Sequence, residues 1–549
     1  MARGKRCICI FTTMLLICVI ITVIICVKRR YQKSCPEGSF SKAAVAADSE
    51  TCSDIGRDIL KEGGSAADAA IAALLCTSVV NPQSMGIGGG AIFTIMGKNG
   101  TVKIINARET VPKVFKGDFS NCSFDTTGSQ WIGVPSEIRG YERVHKLYGR
   151  LPWSHLFQRT IRLAREGVKI SKKLADYLSK FKMPIACQLF RDAKGNMLKE
   201  GDIVKFEKLA DTLEKIAERG ADEFYTGETA RDLISDIQEA GGILTLEDLR
   251  SVEVSELEPW NMSLGDYTMY FPPPPSGAAL VSFILNVMEG YNLNPASLQK
   301  KEERVLTYHR YVEAIKFAKG RKKFMRDSRF NTDKEAFATI QKEFAENVRK
   351  KITDNSTHDD QYYSISSDEE THGTTHLSVL DEDGMAVSVT SSINYMFGCG
   401  DLSKKTGVIL NSQMTDFCKK AKQVQAGERP PSSMAPMILR STVTNHIVVI
   451  GGAGGDWMTT AITMVLMNHL WLEKSLNTSI AEPVVYLDPE NALQFEENFD
   501  ADVIEGLKGL GHTVKEAKAF YNVVNGVSKK KECIEAVSDA RKMGKAAGY

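Results

Sequence analysis

Thr374 follows Gly373 at the point where a polar, acidic stretch, TDNSTHDDQYYSISSDEETHG (353–373), gives way to alternating apolar residues. A threonine hydroxyl is a weak nucleophile by itself. If the Gly373–Thr374 bond were cut, Thr374 would carry that hydroxyl beside a free α-amine, whose reference pKa of about 7.7–8 suits it to act as base for its own side chain. Glycine at 373 removes a Cβ and permits the strained backbone that attack on the preceding carbonyl requires. Alone, a Gly-Thr pair more often marks the simple start of a strand, so other residues must carry the argument.

Gly451-Gly452-Ala453-Gly454-Gly455 is the second candidate. It follows the apolar run HIVVI and precedes WMTTAITMVLMNHLWL, so its N–H groups and a helix N-terminus would converge on one point, a nest fit for a phosphate or a developing oxyanion. No P-loop lysine accompanies it, which favours the oxyanion. GIGGGA (86–91) matches a dinucleotide fingerprint by letter but has a helix before it and a strand after it, the reverse of the required context. No G-x-S-x-G elbow and no Ser-x-x-Lys set is present. Nor is there a CxxC or Cys/His ligand cluster, so neither a metal nor a cofactor is expected.

These residues need rigid elements around them. THLSVL and MAVSVTSSIN form a hairpin whose register follows from the apolar side chains. A three-residue loop, Glu382-Asp383-Gly384, sets Leu377 opposite Val389 and Val379 opposite Val387, giving one clean apolar face with Gly384 at the left-handed position. Thr374 then lies across from Ser392, on a face shared with His376, Ser378, Ser388, Thr390 and Asn394. Ser65 to Asp68 reads as a capping box opening an Ala/Leu helix toward Asn81. AIFTIM and TVKIINARE read as a second hairpin around Gly97–Gly100. Residues 151–241 read as amphipathic helices, 267–271 as a strand, and 272–277 as a turn into a helix over 278–288. Two more helices are expected over 302–318 and 334–351, and the helix after the Gly-rich turn over 457–472. The stretch 353–373, with Ile365 its one aliphatic residue, is expected to be an exposed loop.

With 549 residues, 43% hydrophobic and 69 basic against 68 acidic side chains, the chain can bury a large core, and its net charge of +1 argues against nucleic acid as a partner. Cys7 to Val27 is free of charge and long enough to span a bilayer. Lys28-Arg29-Arg30 follow with no small-residue cleavage site, which favours an uncleaved anchor over a signal peptide. Flanking charges do not orient it. Cys52 and Cys76 could pair under oxidising conditions, and sequons at Asn99, Asn121, Asn261, Asn355 and Asn477 fit a body outside the cytosol.

VNPQSMGIGGG, INARETVP, PPPPSGAAL, GTTHLSV, SSINYMFG, GVILNSQMTDF, RPPSSMAP, GGAGG and SDARK…AAGY, in this order, together resemble the γ-glutamyltranspeptidases, or glutathione hydrolases. The resemblance implies an α+β fold, the αββα sandwich of N-terminal-nucleophile hydrolases, behind a single transmembrane helix. It implies self-cleavage into a large subunit, 28–373, and a small one, 374–549, which together make one interleaved heterodimeric domain. Residues 1–6 would be a cytoplasmic tail and 7–27 the signal-anchor of a single-pass type II plasma-membrane protein with its catalytic domain extracellular. Thr374 would form an acyl-enzyme with the γ-glutamyl group of glutathione or of conjugates such as leukotriene C4, resolved by water or by an amino-acid or peptide acceptor. By the same resemblance Ser392 orients the Thr374 hydroxyl, and Gly454 and Gly455 form the oxyanion hole. Arg108, Ser432 and Ser433 hold the glutamyl carboxylate, and Asn394, Gln413 and Asp416 the ammonium. The sequence departs from the animal pattern with Ser392 for Thr, Ser412 for Asn and Gln413 for Glu, and with a short lid over 418–431. Cys187 lacks the near partner the family has. These departures motivate an alternative, a silent ectodomain that serves as a binding module.

Overall fold

The strand pattern of period two builds two stacked sheets. In chain order the strands are β1 (Ala44–Ala46), β2 (Gly90–Met96), β3 (Val102–Ala107), β4 (Ser255–Leu257), β5 (Trp260–Leu264), β6 (Tyr267–Phe271), β7 (Thr374–Leu380), β8 (Ala386–Ser392), β9 (Met437–Ser441), β10 (Ile447–Ala453), β11 (Val523–Lys530), β12 (Cys533–Val537) and β13 (Ala547–Gly548). One sheet runs β13-β1-β7-β8-β2-β3-β4 and the other β12-β11-β10-β9-β6-β5. This computed structural model describes Thr22 and residues 35–115, 119–120, 122–123, 126–180, 188–365, 373–421, 423–516 and 523–549. Apart from Thr22, the expected anchor, 7–27, lies outside the described residues, as do Asn121 and Cys187. Among the described residues no helix is long and apolar enough to cross a membrane.

Helices α1 (Glu50–Lys61), α2 (Ala66–Val80), α3 (Glu137–Tyr148) and α4 (Trp153–Glu166) cover the outer face of the seven-stranded sheet. There Leu377, Val379, Val387 and Val389 pack against Ile59, Leu74 and Phe157. On the far side α5 (Ala278–Glu289), α6 (Lys301–Arg321) and α7 (Trp457–Leu470) cover the six-stranded sheet, with Phe271, Val448 and Ile450 against Leu280, Ile284 and Leu466. Each such aliphatic side chain contributes about 1.5–3 kcal/mol by leaving water. The layers are helix, sheet, sheet, helix.

The hairpin register is the expected one: Val389 opposes Leu377, Val387 opposes Val379, and Ser392 opposes Thr374. Ser65 and Asp68 form the reciprocal capping box, and α2 ends at Asn81. The second hairpin pairs Met96 with Val102.

The polar face of β7 and β8 lies between the sheets, where His376, Ser378, Ser388 and Thr390 are fully buried. Their bonds explain why this is tolerated, since Ser388 donates to the Ile450 carbonyl at 2.9 Å, Ser378 to the Asn525 carbonyl at 3.2 Å, and His376 meets Thr390 at 2.9 Å. Three expectations are corrected. Gly451 and Gly452 are strand, not turn, and glycine is needed at 451 because a Cβ there would strike the His376 ring where the sheets approach. The helix over 334–351 is two, Lys334–Thr339 and Lys342–Arg349. Finally, residues 353–365, though mostly exposed as expected, are docked through Tyr363. Tyr363 is 2% exposed, and its hydroxyl donates to buried Glu313 at 2.6 Å, as does that of Thr357 at 2.7 Å. Tyrosine supplied the apolar surface that a count of aliphatic residues missed.

Candidate active site

Thr374 begins β7 and Ser392 ends β8, so the hairpin register alone brings them together. The Thr374 hydroxyl donates to Ser392 Oγ at 3.3 Å. Ser392 in turn donates to the Gly373 carbonyl at 2.6 Å and accepts the Asn394 N–H at 2.9 Å. Gly373 has φ of 148°, and a Cβ there would collide with the Asn394 carbonyl, so only glycine fits before the threonine. The uncut peptide therefore has a hydroxyl donor on its carbonyl and a second hydroxyl beside it.

Around this pair opens a cleft. Arg108, Asn394, Gln413, Asp416, Ser432 and Ser433 line it together with Thr374 and Ser392. Gly454 and Gly455 do not line it themselves; their neighbours Asp456 and Met458 do. Both glycines have positive φ, and among the described residues their N–H groups have no acceptor.

Arg108 leaves the end of β3 and is 1% exposed. Its guanidinium donates to Asp416 at 2.5 Å and to the carbonyls of Pro430 at 2.9 Å and Pro431 at 3.2 Å. The Arg108 and Asp416 charges are thus paired with each other before any ligand enters. Asn394, at φ 74°, donates to the Ser412 carbonyl at 3.0 Å and to Thr415 Oγ1 at 2.8 Å. The turn Gln413–Phe417 presents Gln413, whose Oε1 is buried with no hydrogen-bond partner among the described residues. An orphaned buried acceptor costs about 1–3 kcal/mol unless something donates to it. Ser433 donates to Asp456 at 2.7 Å, and Ser432 accepts the Met434 N–H at 3.1 Å. A disulfide, Cys122–Cys418, and a Phe119–Phe417 edge contact pin this turn from behind.

Several residues near the site were missed by sequence reasoning. Asp456 heads α7; burial alone would raise its carboxyl, but Lys322 at 2.5 Å, Lys420 and the Ser433 hydroxyl more than offset this and hold it well below the usual range. Its signal was its place directly after GGAGG. Glu109 sits beside Arg108, fully buried, its Oε2 3.8 Å from an Arg108 Nη1 but neither oxygen hydrogen-bonded among the described residues; burial pushes its carboxyl up to about 8 against the pull of Arg108. Lys542, inside SDARK, reaches the Thr374 carbonyl at 2.7 Å.

Comparison with known proteins agrees with this geometry. The profile of the gamma-glutamyltranspeptidase family matches residues 52–549. Glutathione hydrolase 5 proenzyme of Rattus norvegicus is 42% identical over 96% of this chain and 96% of its own. Cephalosporin acylase from Bacillus halodurans superimposes with a TM-score of 0.83, over 94% of this chain and 98% of its own at 22% identity, a likeness of fold. The gamma-glutamyltranspeptidase of Helicobacter pylori aligns with a TM-score of 0.53 over 58% of this chain and 93% of its own, at 29% identity. The architecture is the α+β sandwich of these N-terminal-nucleophile hydrolases. The chain belongs to the gamma-glutamyltranspeptidase family and is accordingly a hydrolase/transferase enzyme of the glutathione hydrolase kind.

Proposed function

We propose that the chain cuts itself before Thr374 and then uses Thr374 to cleave the γ-glutamyl amide of glutathione and its conjugates. The observation that carries this reading is the Thr374–Ser392–Gly373 contact set. Attack of Thr374 Oγ1 on the Gly373 carbonyl carbon exchanges the amide for an ester, and water then releases Gly373 and frees the α-amine. In turnover that amine takes the hydroxyl proton as Oγ1 bonds to the γ-carbonyl, and passes it to the departing amine. Water or an acceptor amine resolves the resulting ester.

Arg108, with Ser432 and Ser433, takes the glutamyl carboxylate; Asp416, Asn394 and the orphaned Gln413 oxygen take the ammonium. The substrate's two charges each find the partner that Arg108 and Asp416 now find in one another. Gly454 and Gly455 serve as oxyanion donors, supported by their unengaged N–H groups. The finer preference, conjugates such as leukotriene C4, is supported by an adjoining pocket that shares Leu280, Lys322, Ser433 and Asp456 with the cleft and continues to Ile315, Trp457, Tyr486 and Leu487, with Lys319 and Asp488 also in its wall. A bulky substituent on the cysteinyl sulfur fits such a wall.

The subunits would be 28–373 and 374–549, held as a heterodimer, behind an anchor at 7–27 with the catalytic body outside the plasma membrane. Three disulfides and the exposure of Asn99, Asn261, Asn355 and Asn477 support that placement. A reduced denaturing gel with amino-terminal sequencing tests the core of the reading: a fragment beginning at Thr374 is expected, and Thr374→Ala stays whole and inactive. A wild-type chain that stays whole returns the silent ectodomain as the better reading. Rates on glutathione and leukotriene C4 side by side test the adjoining pocket.

A further inference from the structure

Beside the nucleophile, outside the lining of the substrate cleft, lies a second charged group. Lys542 is 4% exposed and Asp48 2%, and their side chains meet at 2.5 Å. Lys542 Nζ also donates to the Thr374 carbonyl at 2.7 Å. The Asp48 carboxylate accepts the Thr375 hydroxyl at 2.5 Å and the Asn525 side-chain amide at 2.7 Å, and that same amide donates to the His376 carbonyl at 2.7 Å. Asn525 is held from behind, since its Oδ1 accepts the Asp539 N–H at 2.9 Å. A buried ion pair is a poor source of stability, because desolvation offsets most of its attraction. This one grips three consecutive residues, 374–376, at the start of the nucleophile's strand.

We propose that Lys542 and Asp48 form a positioning pair for Thr374, the ammonium lying nearer and holding the α-amine in its neutral, proton-accepting form. Backbone geometry puts Nζ within about 6 Å of the Thr374 nitrogen. A unit charge at that distance lowers an amine's pKa by about two units at an effective dielectric near 20, and Asp48, in contact with Nζ and so within about 9 Å, offsets about two thirds of this. The other charged groups near Thr374 are Arg108 and Glu109 after β3, Asp416 from the 413–417 turn, Asp456 at the head of α7, and Lys322, Lys323, Arg326, Lys419 and Lys420 on the cleft wall. None of these changes among the variants below. His376, on β7 itself, is turned between the sheets.

The inference rests on the Thr374 reading, and amino-terminal sequencing of the wild-type small fragment is read first: absence of a fragment starting at Thr374 sinks both. With that fragment present, kcat/KM for a γ-glutamyl anilide is measured against pH for the full chain and for Asp48→Asn, Lys542→Met and Lys542→Arg. Asp48→Asn leaves the ammonium unopposed and is expected to move the acidic limb down by about one pH unit. Lys542→Met removes the larger contribution, leaves the carboxylate unopposed and is expected to move it up by about two pH units, while Lys542→Arg stays near wild type. A purely structural pair would lower kcat at every pH without moving the limb, and that result, or shifts of the same sign in both variants, overturns the proposal. Should Lys542→Met fail to mature, the downward shift in Asp48→Asn alone decides.

Discussion

Removing the Ser392 hydroxyl is the sharpest test of the self-cleavage geometry. In Ser392→Ala three contacts vanish: the donor to the Gly373 carbonyl at 2.6 Å, the acceptor for Thr374 at 3.3 Å and the acceptor for the Asn394 N–H at 2.9 Å. In the resting chain this leaves buried polar groups unsatisfied, a cost of about 1–3 kcal/mol spread over stability. During cleavage the loss is greater, because the Gly373 carbonyl oxygen gains negative charge as Thr374 adds to its carbon. A single oxyanion donor is worth about 2.7–4 kcal/mol at such a point, so cleavage should slow by about 100- to 1000-fold. The assay follows loss of the whole chain on reduced gels after synthesis in a cell-free system, with Ser392→Thr as the control that keeps the hydroxyl. Ser392→Ala cleaving within threefold of wild type, with its melting temperature lowered as expected, would show that this hydroxyl packs the strand end and does not assist the chemistry.

Gln413→Glu adds a carboxylate where the substrate ammonium is proposed to sit. A charge-assisted bond gains about 1 kcal/mol over a neutral one, so KM for γ-glutamyl donors should fall about fivefold with kcat within twofold; an unchanged or higher KM argues against the ammonium site. Glu109 carries a pH signature of its own. Its folded value near 8 lies above the ordinary 4.5, so the native state holds a proton that the unfolded state has released, and the chain loses stability from this group as pH rises between about 4.5 and 8. Glu109→Gln should remove that loss, measured as a shallower fall of urea midpoint from pH 5 to pH 8; equal slopes in the two proteins would count against a neutral Glu109.

How much of this was legible in the sequence depends on the range of the forces involved. The Thr374–Ser392 juxtaposition was readable because strand register is fixed by local alternation and a short loop, both written within twenty residues. Capping at Ser65 and the turn into α5 were local for the same reason. The polar face of β7 and β8 was legible as polar, but nothing nearby in sequence reveals that the Ile450 and Asn525 carbonyls lie opposite it. Gly451 looked like a turn for the same reason: its need for a bare backbone comes from His376, on the other sheet. Arg108 and Asp416 were assignable by family resemblance, but their mutual pairing, and the Lys542–Asp48 pair, join residues hundreds of positions apart and become visible only in three dimensions.

The disulfides acquire a further meaning once the chain is divided at 373. Cys52–Cys76 lies wholly on one side, but Cys35–Cys533 and Cys122–Cys418 each join the two sides. Cutting the backbone there would change the connectivity without changing the molecularity. The halves would migrate as one species until a reductant is added, and neither could be lost by dilution. Unfolding would remain a unimolecular event despite the nick. β1, from the first piece, is sandwiched between β13 and β7 of the second, so the covalent links would also keep the proper partner strands at high local concentration whenever the sheet opens and closes again. An oxidising compartment would then do more than harden the fold: it would decide whether a cleaved enzyme can recover from unfolding at all.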